Sequence, residues 1–374
     1  MYNWQQPDWT RFRYSLEKVE DSLYAFVEEI GLVSGLVKSL PEDTQVETII
    51  DLMVSEAIKT SEIEGEFLSR QDVMSSIRNK LGLIGKHQET RDKRAAGAGE
   101  LMVLVRNEYD QPLTETMLFA WHRALLSGSA GIIVGDWRSH EDPMQIVSGA
   151  YEKWKVHFEA PPSSAVKAEM DRFIEWFNAT APGGTQPIKS APVRAAIAHL
   201  YFESIHPFED GNGRIGRAIA EKALSQTIGR PVMLSLSQTI EADKKAYYEA
   251  LMAAQRKNEI TPWMSYFVPL VLQSQRQARE VINFTLQKTQ FLDRHKTSFN
   301  ERQEKAINRM FESGPGGFVG GMNASKYMGI TKAPKATATR DLQALLEMGA
   351  LRVEGGGRST RYFLALEGRQ LSKR

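Results

Sequence analysis

The run His206-Pro-Phe-Glu-Asp210-Gly-Asn-Gly-Arg214-Ile-Gly-Arg217 gathers the side chains needed to handle a nucleoside triphosphate. Gly211 and Gly213 lack a Cβ, so the backbone there can approach phosphate oxygens closely and its N–H groups can form an anion nest. The apolar pattern resumes at Ile215, Ile219 and Leu224. That spacing predicts a helix starting near Asn212, with its N-terminal amides aimed at the same anion. Arg214 and Arg217 fall close to one face of that helix and offer guanidinium forks to phosphate oxygens. Asp210 stands where a Mg²⁺ ligand is needed, since Mg²⁺ usually takes one carboxylate together with phosphate oxygens and waters. His206 is the neighbouring group able to accept a proton near neutral pH.

A surface turn between two helices would account for Asp-Gly-Asn-Gly by turn chemistry alone, with Phe208 a core plug and His206 a helix-end histidine. It leaves a histidine and two arginines at fixed offsets unexplained, and the string H-x-F-x-D-G-N-G-R-x-x-R has a chance expectation on the order of 10⁻⁸ at average composition. The string resembles the signature of Fic-domain proteins at every defining position. The resemblance implies a protein adenylyltransferase, which moves AMP from ATP, with Mg²⁺, to a Ser, Thr or Tyr hydroxyl of another protein. By motif position His206 is then the general base and Asp210 the metal ligand. Gly211, Asn212 and Gly213 form the anion nest and Arg214 and Arg217 the triphosphate clamps, with Ile215 and Gly216 in the same nucleotide-binding stretch.

Upstream, Thr60-Ser-Glu-Ile-Glu64-Gly65 reads on physical grounds as a helix ending near Gly65 with solvated acids around it. The pattern Ser/Thr-x-x-x-Glu-Gly/Asn also resembles the inhibitory helix of Fic proteins that carry it N-terminal to the catalytic core. In that setting Glu64 sits at the nucleotide site as the autoinhibitor and pairs with Arg217. The resemblance further implies a tyrosine lining the adenine pocket in the helix around Ala246 to Leu251; Tyr248 is the candidate and Tyr247 its alternative, although paired tyrosines on a helix are as often core.

The composition is that of an ordinary globular chain, with 374 residues, 42% hydrophobic and 25% charged. No cysteine is present, which excludes disulfides and thiolate metal sites. No apolar run reaches the ~18 residues of a membrane span and the N-terminus lacks a signal-like apolar stretch, so the expected location is the cytoplasm. The net charge of +1 conceals an asymmetry: residues 301–374 carry 13 Lys/Arg against 7 Asp/Glu, while the remainder carries 34 against 39. A basic tail on a slightly acidic body raises the question of a nucleic-acid partner.

Along the chain, apolar residues at three- and four-residue spacing predict helices over Trp9–Glu28 and Gln45–Ile63, broken near Pro41. Further helices are expected within 91–130, where His122 reads as structural, and from Pro192 into His206. His199 and His206 share a helix face, but with no third ligand type nearby they make a poor zinc site. Period-two alternation predicts strands at Met144–Val147 and Trp154–Phe158 around a Ser148-Gly149 turn. By position this hairpin, residues 144–158, matches the Fic flap, which holds a target segment by strand addition. A long amphipathic helix from Trp263 to Leu292 closes the domain.

The tail predicts helices at 301–312, 324–328 and 336–347, then strands at 351–353 and 361–364, which is the winged-helix order. Lys332, Lys335 and Arg340 fall around the recognition helix and Arg352, Arg358 and Arg361 on the wing, as expected for phosphate contacts, although such domains also serve for docking or homodimerisation. The expected fold is mainly α: a Fic-type helical core with a β-hairpin flap, plus a C-terminal winged helix-turn-helix domain. The expected division is an N-terminal helical region over 1–90, a catalytic domain over 91–292, and a linker with the winged helix over 293–374. The rival reading is a nucleotide-sensing DNA-binding regulator; within enzymes, transfer of another group or removal of AMP remains open.

Overall fold

A computed structural model describes residues 1–83, 90–148 and 155–366; Trp154, the first residue of the second strand candidate, the turn residue Gly149 and the side chains of Ser148 and Arg358 lie outside the described set. The chain is mainly helical. It divides into one unit formed by Met1–Val33 with Val46–Ala278 and another formed by Ser34–Gln45 with Arg279–Arg374.

The helices are α1 (Glu20–Ser39), α2 (Glu42–Ile63), α3 (Arg70–Lys80), α4 (Lys93–Asn107) and α5 (Glu115–Leu126). After a hairpin of β1 (Gln145–Ser148) and β2 (Lys155–Glu159) come α6 (Ser163–Ala179), α7 (Ala191–Ile205), α8 (Asn212–Ile228), α9 (Leu236–Ala242), α10 (Lys244–Ala254) and α11 (Thr261–Arg294). Their starts are written in the sequence, because Ser69, Asp92, Thr114, Ser235 and Asp243 each accept a backbone N–H of the following first turn. Side-chain acceptors at that position satisfy donors that no helical carbonyl can reach.

Of the expected helix over Trp9–Glu28, the first half does not form. Thr10 adopts a left-handed φ of 73°, which interrupts a helix, and Trp9 and Phe12 instead set their rings edge-on to Tyr201 at 5.2 and 5.7 Å. Tertiary stacking outweighs the local periodicity there, and α1 begins only at Glu20. Helices α6 and α9 had no counterpart in the expected elements.

Helix α7 is the axis of the first unit: all of its 15 residues are buried, including Arg194, His199 and Glu203. A helix whose residues are mostly apolar or small all round belongs in the middle of a core rather than at its surface. Helix α8 packs against it with Ile215, Ile219, Ala220 and Leu224 fully buried. The hairpin pairs Ile146 with Phe158 and Val147 with Val156, with a bulge between Ile146 and Val147. Phe158 is buried, whereas Val147 and Val156 stand exposed at 41% and 38%.

The second unit contains α12 (Glu301–Phe311), α13 (Ala324–Thr331) and α14 (Lys335–Glu347), followed by an antiparallel hairpin of β3 (Leu351–Glu354) and β4 (Arg361–Leu364). Its own core gathers Phe291, Ile307, Met310, Tyr327, Leu342 and Leu351. Among the described residues no helix is long and apolar enough to cross a membrane.

Helices α4 and α5 approach closely at Gly97, where an added Cβ would overlap the carbonyl oxygen of Ala124 and lie 2.9 Å from that of Leu125. Backbone cannot yield as a side chain does, so Gly97→Ala is expected to destabilise the chain by about 1–3 kcal/mol. The check is the shift in urea unfolding midpoint at unchanged slope.

Candidate active site

The motif loop joins α7 to α8 through two left-handed residues, His206 at φ 51° and Gly211 at φ 82°. His206 closes α7, donating its N–H to the Phe202 carbonyl at 2.9 Å, and Gly211 caps α8. A non-glycine residue in this conformation is unusual and persists only where its surroundings hold it. Here they do so from behind. The Arg138 guanidinium donates to the carbonyls of Ile205 and His206, and its backbone N–H to that of Pro207. Asn212 turns back on Phe208, accepting its N–H at 2.9 Å and donating to its carbonyl at 2.8 Å.

His122 lies under the same loop, stacked on Phe208 at 4.0 Å with the rings 8° from parallel. Its Nδ1 accepts the Gly135 N–H at 2.8 Å, so a neutral ring must carry its proton on Nε2, which then donates to the Asp210 carbonyl at 3.0 Å. The structural role expected for His122 is therefore specific: it holds the loop. Arg138 was missed by sequence reasoning, because an isolated arginine after Trp137 carries no periodic or motif signal. Burial lowers the Arg138 guanidinium to about 10, a cost offset by its carbonyl and hydroxyl acceptors, Ser163 Oγ and the Pro161 carbonyl among them.

On the front of the loop, the first turn of α8 presents N–H groups with no helical carbonyl behind them. Glu64 lies over this turn: a Cβ on Gly213 would overlap its Oε1, and that same oxygen accepts a hydrogen bond from Arg217 Nη2 at 2.7 Å. Arg217 is buried and also donates to Thr60 Oγ1 at 2.7 Å and the Thr60 carbonyl at 3.0 Å. Burial alone would weaken its hold on the proton, but the Glu64 charge raises it above the usual arginine range. The expected pairing of Glu64 with Arg217 is thus present.

Local sequence explains how α2 delivers Glu64. The helix ends in a Schellman turn, with Gly65 left-handed at φ 84°, its N–H on the Glu62 carbonyl and the Glu66 N–H on the Ser61 carbonyl. That turn aims a second carboxylate, Glu66, at Arg214, 2.9 Å away. Lys244 ties the turn down by donating to the Ile63 carbonyl.

Asp210 is 56% exposed; Oδ1 accepts the Gly211 N–H at 2.6 Å and Oδ2 lies 3.6 Å from Arg214. One outward carboxylate suits a Mg²⁺ ion brought in by phosphate oxygens, which needs a single protein oxygen. Among the described residues no three His, Asp or Glu side chains gather into a fuller metal cage. Tyr247 is buried with its hydroxyl 2.7 Å from His199 Nε2, which makes it a core residue, while Tyr248 remains half-buried beside it. Burial, with the Glu64 charge next, raises the Tyr248 hydroxyl. Ile215 is fully buried, and the bare Cα of Gly216 makes room for Glu203, whose Oε1 a Cβ would overlap.

The helical core and this loop define a Fic-type fold. Residues 112–224 match the family model described as Fic/DOC family, and residues 2–83 match one described as a domain of unknown function, DUF4172. This chain carries a domain of the Fic/DOC family. It is 28% identical over 213 residues to a protein adenylyltransferase Fic of Culex quinquefasciatus, covering 54% of this chain and 37% of the relative. It is 25% identical over 211 residues to protein adenylyltransferase fic-1 of Caenorhabditis elegans, covering 55% and 37%. The match thus spans little more than a third of the length of these curated relatives. Among solved structures, a Fic family protein from Desulfovibrio desulfuricans superposes with a TM-score of 0.52 at 19% identity, covering 93% of this chain and 97% of that one. A Fic-1 fragment from C. elegans gives 0.51 at 19% identity, covering 72% and 74%.

Burial holds the His122 and His199 imidazoles below the usual histidine range. A histidine neutral in the folded state but free to charge when unfolded contributes stability that is complete above about pH 6.5 and lost as pH falls toward the folded value. Unfolding midpoints should therefore drop on acidification through that window. In His122→Gln, which keeps one acceptor and one donor, the drop should be shallower; an unchanged slope would show that His122 is not held neutral.

Proposed function

We propose that this protein is an adenylyltransferase that moves AMP from ATP to a Ser, Thr or Tyr hydroxyl of a target protein, and that Glu64 holds it inactive. The observation that carries this reading is the Glu64 carboxylate seated over Gly213 and bonded to Arg217. A carboxylate fills the place where amides and a guanidinium converge on an anion, so the cradle and its occupant describe one site. The names of the matched relatives support the same chemistry.

In this reading His206 accepts the proton of the target hydroxyl as its oxygen bonds to the α-phosphorus and the bond to the bridging oxygen of pyrophosphate breaks. Arg214 and Arg217 hold the triphosphate, and the α8 amides meet its oxygens. A Mg²⁺ ion held through Asp210 would neutralise phosphate charge. Tyr248 offers a ring for the adenine. The target segment adds to the hairpin edge at β1, because the β2 carbonyls of His157 and Glu159 already accept from Arg256 and Trp4. The matching division is an inhibitory helical region over 1–90, a catalytic domain over 91–292, and the remainder as a separate module.

A second reading attaches to that module. Its three helices and hairpin, with Lys332, Lys335 and Arg340 exposed, support a winged-helix domain that contacts duplex DNA phosphates. Mobility-shift titrations of the full chain should then weaken steeply with salt. Absence of binding at low salt would favour docking or a homodimer, which sedimentation would reveal.

Incubation with α-labelled ATP and lysate tests the enzymatic reading. Glu64→Gly should raise labelling well above wild type, because Arg217 is freed to align the triphosphate and a misplacement of ~1 Å can cost about 10²-fold. Adding His206→Ala should lower transfer by ~10²–10⁴-fold while leaving ATP binding intact. Adding Arg217→Ala should lower it as well. Equal labelling by wild type and Glu64→Gly at saturating Mg²⁺-ATP would overturn the inhibitory role.

A further inference from the structure

His206 has a neighbour that the transfer chemistry has not yet used. Glu203 precedes it by three residues on the last turn of α7, so both side chains fall on one face. Glu203 Oε2 lies 3.7 Å from His206 Nδ1, with the two side chains only 4% and 12% exposed. Among the described residues neither His206 Nδ1 nor Glu203 Oε1 has a hydrogen-bond partner, although both are buried. Buried polar atoms without partners are rare in folded proteins and call for a reason. Here the partnerless Nδ1 faces a carboxylate, through its Oε2, whose other oxygen is partnerless too.

The carboxylate is kept charged. Burial works to raise its pKa, but the adjoining His206 imidazole, with His199 and the Arg217 guanidinium beside it, outweighs burial and holds the group below the usual carboxylate range. The charged and titratable groups that press on Glu203 come from three helices: His199 and His206 from α7 and its end, Arg217 from α8, and Tyr247 and Tyr248 from α10. Space is reserved for it as well, since a Cβ on Gly216 would overlap Oε1. Arg217 does not explain this arrangement, because its hydrogen bonds go to Thr60 and Glu64 and none to Glu203.

We infer that Glu203 is the positioning residue of His206: its carboxylate accepts the Nδ1–H, which fixes the tautomer with Nε2 as the free base on the opposite edge of the ring. In a histidine, the partner of one ring nitrogen decides the chemistry of the other. Ser-His-Asp triads orient their base and offset its charge by the same device. At 3.7 Å the contact is longer than a hydrogen bond, and a small ring rotation closes it; such bonds are commonly long before substrate arrives. When Nε2 takes the proton of the attacking hydroxyl, Glu203 balances the imidazolium and stays ionised. The catalytic half of this inference rests on the adenylyl-transfer reading. The tautomer half does not.

The test reads both halves. The full chain, with ¹⁵N-labelled histidine and no nucleotide, is examined by NMR at about pH 8.5, above the histidine range, with His206→Ala assigning the signal. The expected result is a protonated Nδ1 and a bare Nε2 in the wild type. In Glu203→Ala the Nε2–H form normally favoured by free histidine should return, in a protein whose circular dichroism is unchanged. A wild-type His206 protonated on Nε2, or a tautomer indifferent to Glu203→Ala, overturns the inference. If Glu203→Ala does not fold, the isosteric Glu203→Gln carries the kinetics in the Glu64→Gly background. There kcat should fall by about 10-fold or more with KM for ATP unchanged, since an amide keeps the acceptor and loses the charge. An undiminished kcat, or kcat and KM changing together, overturns the positioning role. A Glu64→Gly protein without transfer activity would sink the adenylyl-transfer reading and leave the tautomer measurement to decide the rest.

Discussion

The structure depends on one requirement: a loop that must turn its N–H groups outward has to have its carbonyls satisfied from behind. Between Ile205 and Asp210 that work is shared by three side chains, two of them from elsewhere in the chain. Arg138 takes the carbonyls of Ile205 and His206, Asn212 that of Phe208 and His122 that of Asp210, while the Arg138 backbone takes Pro207. Unsatisfied buried carbonyls would each cost roughly 1–3 kcal/mol, enough together to unfold a marginal loop. With them held, the left-handed conformations at His206 and Gly211 become the only ones compatible with the surroundings, and the front of the loop is left bare for an anion.

The same device recurs through the first unit, where buried cations serve the carbonyl ends of helices. Arg194 donates to the Phe177 carbonyl near the end of α6 and the Ala223 carbonyl in α8, and its guanidinium lies 4.4 Å from the Phe177 ring. Lys222 reaches the carbonyls of Glu108, Tyr109 and Gln111 just beyond α4. Burial lowers Arg194 to about 10 and Lys222 to about 8, yet each sits where helix dipoles concentrate negative charge. Removing such a group leaves several acceptors stranded at once, which is why a core this rich in charge is held together by it rather than weakened.

At the mouth of the loop a carboxylate and a phosphate would compete for the same donors. Glu64 reaches Arg217 and Glu66 reaches Arg214, and the two acids are aimed by a single left-handed glycine between them. One short helix end therefore engages both arginines of the motif. The contact is partly exposed on the carboxylate side and buried on the guanidinium side, so the arginines stay organised whichever anion they hold.

By itself the sequence named the motif residues and much of the scaffold that carries them. The twelve-residue motif, the helix from Asn212, the Gly65 helix end, the strands at 351 and 361 and the long helix from Thr261 all rest on local signals: glycine at positive φ, capping side chains and unbroken periodicity. The Glu64 to Arg217 pairing was legible only through resemblance, since no local rule links residues so far apart. Tertiary structure alone decided the rest. Arg138 and His122 became loop holders because chain folding, not spacing, brings their donors to stranded carbonyls. Trp9 and Phe12 left the helix their pattern predicts because ring stacking on Tyr201 stabilises them more than another helical turn would. Glu203 looked like one more buried residue of an apolar helix until the fold placed its carboxylate beside His206 and under a glycine with no Cβ to displace it.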